Sequence, residues 1–141
     1  MAPATYKKAH RHPAGTHVLT LTGEGYSLLW NDGDRDFARV EWQYGVVFPP
    51  CENQIHQHFV TSEHASRYVA TGLGSQRYPL TEAKRRRSLG KPGEKQALSR
   101  SVKEGGTQIE YEDQDPRIHQ IWLAEMRKRN ITPNFNFPVR A

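Results

Sequence analysis

Cysteine is nearly missing from this chain: Cys51 stands alone among 141 residues. No intrachain disulfide can form, so a secreted disulfide framework is excluded. Long apolar runs are missing too. A membrane helix needs roughly 18 consecutive apolar residues, and hydrophobic residues here make up only 35% of the sequence, scattered in short groups. Nothing apolar precedes Lys7, Lys8, His10, Arg11 and His12, unlike the start of a signal peptide. The expectation is one soluble, cytoplasmic domain over residues 1–141, large enough to bury a core without staples and with no membrane partner.

Acidic residues are outnumbered, with a formal net charge of +5, but the excess is local. Between Glu82 and Glu104 there are eight Lys or Arg (Lys84, Arg85, Arg86, Arg87, Lys91, Lys95, Arg100, Lys103) against three Glu, a surplus of five. The rest of the chain is balanced. Gly90, Pro92 and Gly93 interrupt this stretch and it has little apolar periodicity. A solvated basic loop over about 80–104 is therefore expected rather than a nucleic-acid groove. Its other role would be a flap that attracts an anionic substrate.

Residues 5–75 carry the pattern of a β-barrel or sandwich, with about seven short strand candidates separated by turn residues. Thr16 to Thr22 is β-branched and apolar, Gly23-Glu24-Gly25 breaks it, and Tyr26 to Trp30 resumes. Asn31-Asp32-Gly33-Asp34 is a turn signal, because Asp-Gly accommodates the positive φ of tight turns. Phe37 to Trp42 alternates, with Ala38, Val40 and Trp42 on one face and Arg39 and Glu41 on the other. Val46 to Phe48, Gln54 to Val60 and Arg67 to Thr71 follow, and Thr107 to Glu112 is a candidate last strand. One helix is expected after that. Asp115 can cap it, Pro116 suits its first position, and Ile118, Ile121, Trp122 and Met126 form one stripe that would pack on the outside of the barrel. The predicted C-terminal strand and helix occupy about 107–131.

Histidine is where the sequence is rich. Five of its seven histidines fall in two short clusters, His10, His12 and His17, then His56 and His58. Residues two apart on a strand share a face, so each cluster can present a pair of imidazoles. One strand supplies only a pair without contortion, so two distant strands converging on one divalent ion is the arrangement this spacing predicts. His17 needs the turn at Pro13-Ala14-Gly15 to join them. A single histidine is usually surface or core; two same-face pairs with a neighbour point to metal.

These residues resemble the cupin superfamily, whose first motif is a Gly-containing His-x-His followed by Glu and Gly, and whose second carries a third His. The resemblance runs from Lys8 to Gly25 (Lys-Ala-His-Arg-His-Pro-Ala-Gly-Thr-His-Val-Leu-Thr-Leu-Thr-Gly-Glu-Gly) and from Gly45 through Pro49-Pro50 to His56-Gln57-His58-Phe59. Gly105 to Arg129 is similar to the end of bacterial cupin-domain proteins related to gentisate dioxygenase and oxalate decarboxylase. The resemblance implies an all-β, cupin-type double-stranded β-helix (jelly-roll) barrel with one C-terminal helix outside it. It also implies His10, His12 and His56 as metal ligands, with His17 where the family has Glu and Val60 where it has Asn. Imidazoles leave the full charge on the ion, so such a centre pulls harder on an anion. An all-nitrogen set favours Fe(II) first, with Ni, Cu or Zn next and Mn less suited. Cupins have strands before the first motif and here nine residues precede His10, so a trimmed barrel or a homodimer that covers the open edge is expected.

Around the metal, Tyr26, Trp30, Trp42, Phe48, Phe59 and Tyr68 are candidates to line a substrate pocket or to fill the core. Arg67 and Arg39 are candidates for gripping a carboxylate. His17 and His58 are candidate acid/base groups if they are not ligands, and Cys51 reads as a structural thiol. The leading functional expectation is a non-haem dioxygenase cleaving a carbon–carbon bond of an enol, diketone or dihydroxy-aromatic. The alternatives are a decarboxylase, lyase or isomerase working through an enolate, and a non-catalytic small-molecule-binding cupin. A small-molecule substrate, possibly anionic, is the implied partner.

Overall fold

Among the described residues two antiparallel sheets of three strands each form the framework, with order β4-β1-β6 in one and β3-β2-β5 in the other. A computed structural model describes residues 1–12, 15–72 and 100–139. The strands are β1 (Thr16–Thr22), β2 (Gly25–Trp30), β3 (Ala38–Trp42), β4 (Val47–Phe48), β5 (Ile55–Val60) and β6 (Arg67–Gly72). Among the described residues one α-helix, α1, spans Pro116–Arg129, and one short 3-10 helix spans Val102–Glu104. The described residues form the expected all-β shell with one C-terminal α-helix. Among the described residues no helix is long and apolar enough to cross a membrane. The basic stretch lies mostly outside the described residues.

Alternation along each strand divides the buried residues into two cores. Val18 and Phe48 from one sheet meet Trp42 and Val60 from the other, so this cluster lies between the sheets. Tyr26, Leu28 and Phe59 project from the opposite face of the second sheet and pack with Ile118, Trp122 and Met126 of α1. The helix therefore covers the outside of the β3-β2-β5 sheet, as its apolar stripe requires. Asp115 accepts from the Arg117 amide at its start, and Asn130 adopts φ 54° at its end, bonding back to Arg127 and Met126. Gly25 lets the neighbouring strand β5 and the Trp42 ring of β3 close up on β2, since a Cβ there would collide with the Phe59 carbonyl oxygen and the indole.

Two expected strands take another form. Thr107 to Glu112 is not a strand: Gln108 makes bridges to His10 and Ser101, and the chain then turns as Asp113 and Gln114 donate to the Glu110 carbonyl. The segment before β1 is likewise no regular strand, yet it runs antiparallel along the free edge of β5. Val60 donates to Thr5, Lys7 to His58, and His10 and His56 exchange both backbone bonds. Tyr6 sits opposite Phe59 whereas His10 sits opposite His56. Four steps on one side thus span three on the other, which is a one-residue bulge. The bulge reverses the facing of the segment part way along. Tyr6 points to the helix-side core, while His10 shares the inner face with His56.

Candidate metal centre

Three imidazoles converge at one end of the space between the sheets. The ligand atoms of His10, His12 and His56 all lie within 4.8 Å of one another. Ring centroids are 4.5 Å apart for His10–His56, 4.8 Å for His12–His56 and 6.0 Å for His10–His12. β5 supplies His56, and the bulged edge segment supplies the other two. Asn53 donates to the His12 carbonyl and His10 pairs with His56, so backbone hydrogen bonds fix the separation of the two sources.

The rings are also oriented. The Nδ1 of His56 lies 2.9 Å from the Gln54 carbonyl oxygen and that of His10 lies 3.3 Å from the Lys8 carbonyl oxygen. A carbonyl only accepts, so each Nδ1 carries the proton and each Nε2 keeps its lone pair. Backbone support of this kind holds a metal-binding histidine in the correct tautomer. Thr16 Oγ1 lies 3.3 Å from both ring nitrogens of His12. Burial pushes the pKa of His56 down to about 3, with the neighbouring His10 adding to the effect. His10 is lowered for the same first reason. Neutral imidazoles with inward lone pairs are what a borderline divalent ion requires, so the residues fit such an ion.

His58 stands behind the trio, wholly buried, with its ring 5.5 Å from His56 and 6.3 Å from His10. Burial and the adjacent His56 hold its pKa well below the ordinary range. Its Nδ1 lies 2.7 Å from Ser27 Oγ, and that oxygen accepts the indole N–H of Trp42 at 3.0 Å. Phe48 and Tyr68 flank the ring at 5.9 and 5.3 Å. Lys7 Nζ reaches across from the edge segment to donate to Tyr68 Oη at 2.9 Å.

Several sequence candidates lie elsewhere. His17 does not join the trio: Val18 points inward on β1, so its neighbour His17 is exposed on the opposite face. It borders a surface cavity of about 490 Å³ with Pro49, Pro50, Cys51 and Glu52. Cys51 is exposed rather than structural. Tyr26 and Phe59 stack on each other at 4.6 Å on the helix side of the sheet, with the sheet itself between them and the histidines. Trp30 packs against that same helix-side core. Arg39 lies over the Tyr26 ring and pairs with Glu41 and Glu125, again on that side. Arg67 is exposed. Trp42, Phe48 and Tyr68 do face the space between the sheets. Sequence reasoning missed Ser27 and Lys7. Ser27 was findable, because it alternates with Tyr26 and Leu28 on a strand whose other face is apolar. Lys7 was not, because its placement follows from the bulge.

Fold and centre together describe a two-sheet β shell holding three imidazoles between its layers. No protein-family model matches the chain, and a search of curated proteins finds no match. Among solved structures it is similar to the Drosophila melanogaster CENP-C cupin domain, with a TM-score of 0.48 and 10% identity over 51% of this chain and 55% of that one. The chain thus corresponds to about half the length of that domain. It is also similar to the capsular polysaccharide assembling protein CapF from Staphylococcus aureus (TM-score 0.46, 12% identity, 55% of this chain and 22% of that one). A third is vicilin from Corylus avellana (TM-score 0.40, 10% identity, 72% and 34%). At these identities no residue role passes from one chain to another.

Proposed function

We propose that this chain is a metal-dependent cupin in which His10, His12 and His56 hold one divalent transition metal. Its reaction is oxygen-dependent cleavage of a carbon–carbon bond in an enol, diketone or dihydroxy-aromatic substrate. The observation that carries the reading is the convergence of three imidazole ligand atoms within 4.8 Å, two of them with backbone carbonyls fixing the tautomer that ligation needs. Fe(II) is the first choice of ion, followed by Ni, Cu and Zn, with Mn less suited to an all-nitrogen set. When bound, such an ion supplies Lewis acidity and a path for electrons.

The chain's own residues do the rest. Neutral ligands cancel none of the ion's charge, and Lys7 adds a cation at the same end, so an anionic substrate is drawn in. Phe48, Trp42 and Tyr68 give the interior an apolar, aromatic wall that suits a flat molecule and excludes water. The discriminating experiment is metal analysis of protein purified without added metal, followed by turnover of a panel of these substrates with and without oxygen. A stoichiometric redox-active ion and loss of turnover under anaerobic conditions are expected. Undiminished anaerobic turnover overturns the oxygenase reading.

A second reading keeps the metal and replaces oxygen chemistry with proton transfer through an enolate, as in a decarboxylase, lyase or isomerase. The observation that favours it is His58, a buried imidazole whose ring lies 5.5 Å from that of His56, where it can exchange a proton or a hydrogen bond with a substrate held by the ion. Anaerobic turnover with the metal retained is its signature.

A further inference from the structure

Hydrogen-bond partners sort the inward-facing histidines of β5 and its neighbour into two kinds. Those of His10 and His56 at Nδ1 are carbonyl oxygens, which have no proton to give. The partner of His58 at Nδ1 is a hydroxyl, at 2.7 Å. That hydroxyl is not free to choose its role. Ser27 is completely buried, and its oxygen already receives the indole N–H of Trp42, a group that only donates. Were Ser27 to accept from His58 as well, its own proton would be stranded away from water. Giving that proton to His58 Nδ1 satisfies the indole, the hydroxyl and the ring nitrogen together.

We propose that Trp42 and Ser27 lock His58 with its proton on Nε2, so that His58 is a hydrogen-bond donor between the sheets and not a fourth metal ligand. The ring lies among His10, His56, Phe48 and Tyr68. The N–H is thereby available to an anionic oxygen of a substrate, a carboxylate or an enolate, bound beside the three ligands. Trp42 and Ser27 are positioning residues, acting through His58. The anion beside the ligands rests on the metal-centre reading; the tautomer does not.

Two measurements separate these parts. Long-range proton–nitrogen NMR correlations of the metal-free protein read each imidazole directly. His58 is expected to be protonated on Nε2, His56 on Nδ1, and the His58 pattern is expected to lose its Nε2 preference in Ser27→Ala. Wild-type His58 protonated on Nδ1 overturns the proposal. In the second measurement, cobalt(II) is added to wild type, His58→Leu and His58→Gln, and acetate is titrated against the visible spectrum. The cobalt spectrum is expected to be unchanged in both variants, with acetate affinity at least tenfold weaker in His58→Leu and partly restored by the amide donor of His58→Gln. A cobalt spectrum that changes in both variants makes His58 a ligand and overturns the proposal, as does equal acetate affinity in all three proteins. Failure of wild type to take up cobalt overturns the metal-centre reading and the proposed anion beside it, while the NMR result decides the tautomer.

Discussion

What each histidine can do is set by the atom opposite its second nitrogen. Carbonyl partners at His10 and His56 leave Nε2 lone pairs facing inward, and substitution should remove the ion rather than the fold. His56→Ala and His10→Ala are each expected to lower bound metal from about one per chain to near zero by elemental analysis, because a two-imidazole remnant binds far more weakly. His17→Ala is expected to leave metal content unchanged, since His17 is exposed on the other face of its strand. Burial also makes these rings a source of acid sensitivity. Unfolded imidazole titrates near 6.5, whereas folded His56 titrates near 3 and folded His58 well below its ordinary value. Between those limits the unfolded chain binds more protons, so folding stability is full above pH 6.5 and falls as the pH drops toward the folded values. For the metal-free protein, urea unfolding at pH 7 and pH 5 should differ by about 2 kcal/mol from His56 alone, with His58 acting in the same direction. Equal midpoints at the two pH values would contradict this.

At the level of elements, the bulge between Tyr6 and His10 decides which core each residue enters. Deleting Lys8 removes the extra residue and restores strict alternation against β5. Tyr6 then pairs with Phe59 and His10 with His56 in a regular ladder, on the faces they already hold, so the expected result is a chain that keeps both its far-ultraviolet β signal and its metal; loss of metal would show that the bulge itself shapes the site. Gly25 has an equally local role. Gly25→Ala puts a methyl against the Phe59 carbonyl and the Trp42 ring, and a cost of about 1 to 3 kcal/mol in chemical denaturation is expected from overpacking. Strands and helix were legible because period-two alternation and the Asp115-Pro116 start leave direct traces in the residue order. The bulge was not, because it exists only as a mismatch between two segments some fifty positions apart.

For the whole molecule, the two faces of the shell are treated differently. Helix α1 covers the outside of the β3-β2-β5 sheet, while Val47 and Val69 stand exposed on either side of Leu19 on the outside of the other. The homodimer expected from the sequence covers an open edge; we propose that a second copy buries this face as well, where it can hide several exposed aliphatic side chains at once. Sedimentation at micromolar concentration should show a dimer that Val69→Lys converts to monomer; a wild-type monomer removes this proposal.

The sequence by itself determined the all-β pattern, the helix with its caps and stripe, and the two histidine clusters, because each is written in spacing along one segment. Tertiary structure alone decided which imidazoles meet. His17 lost its place to strand alternation, Tyr26 and Phe59 went to the helix side, and His58 gained a serine and a tryptophan that set its proton. Each of those outcomes depends on what lies across a sheet, and residues across a sheet are not neighbours in the chain.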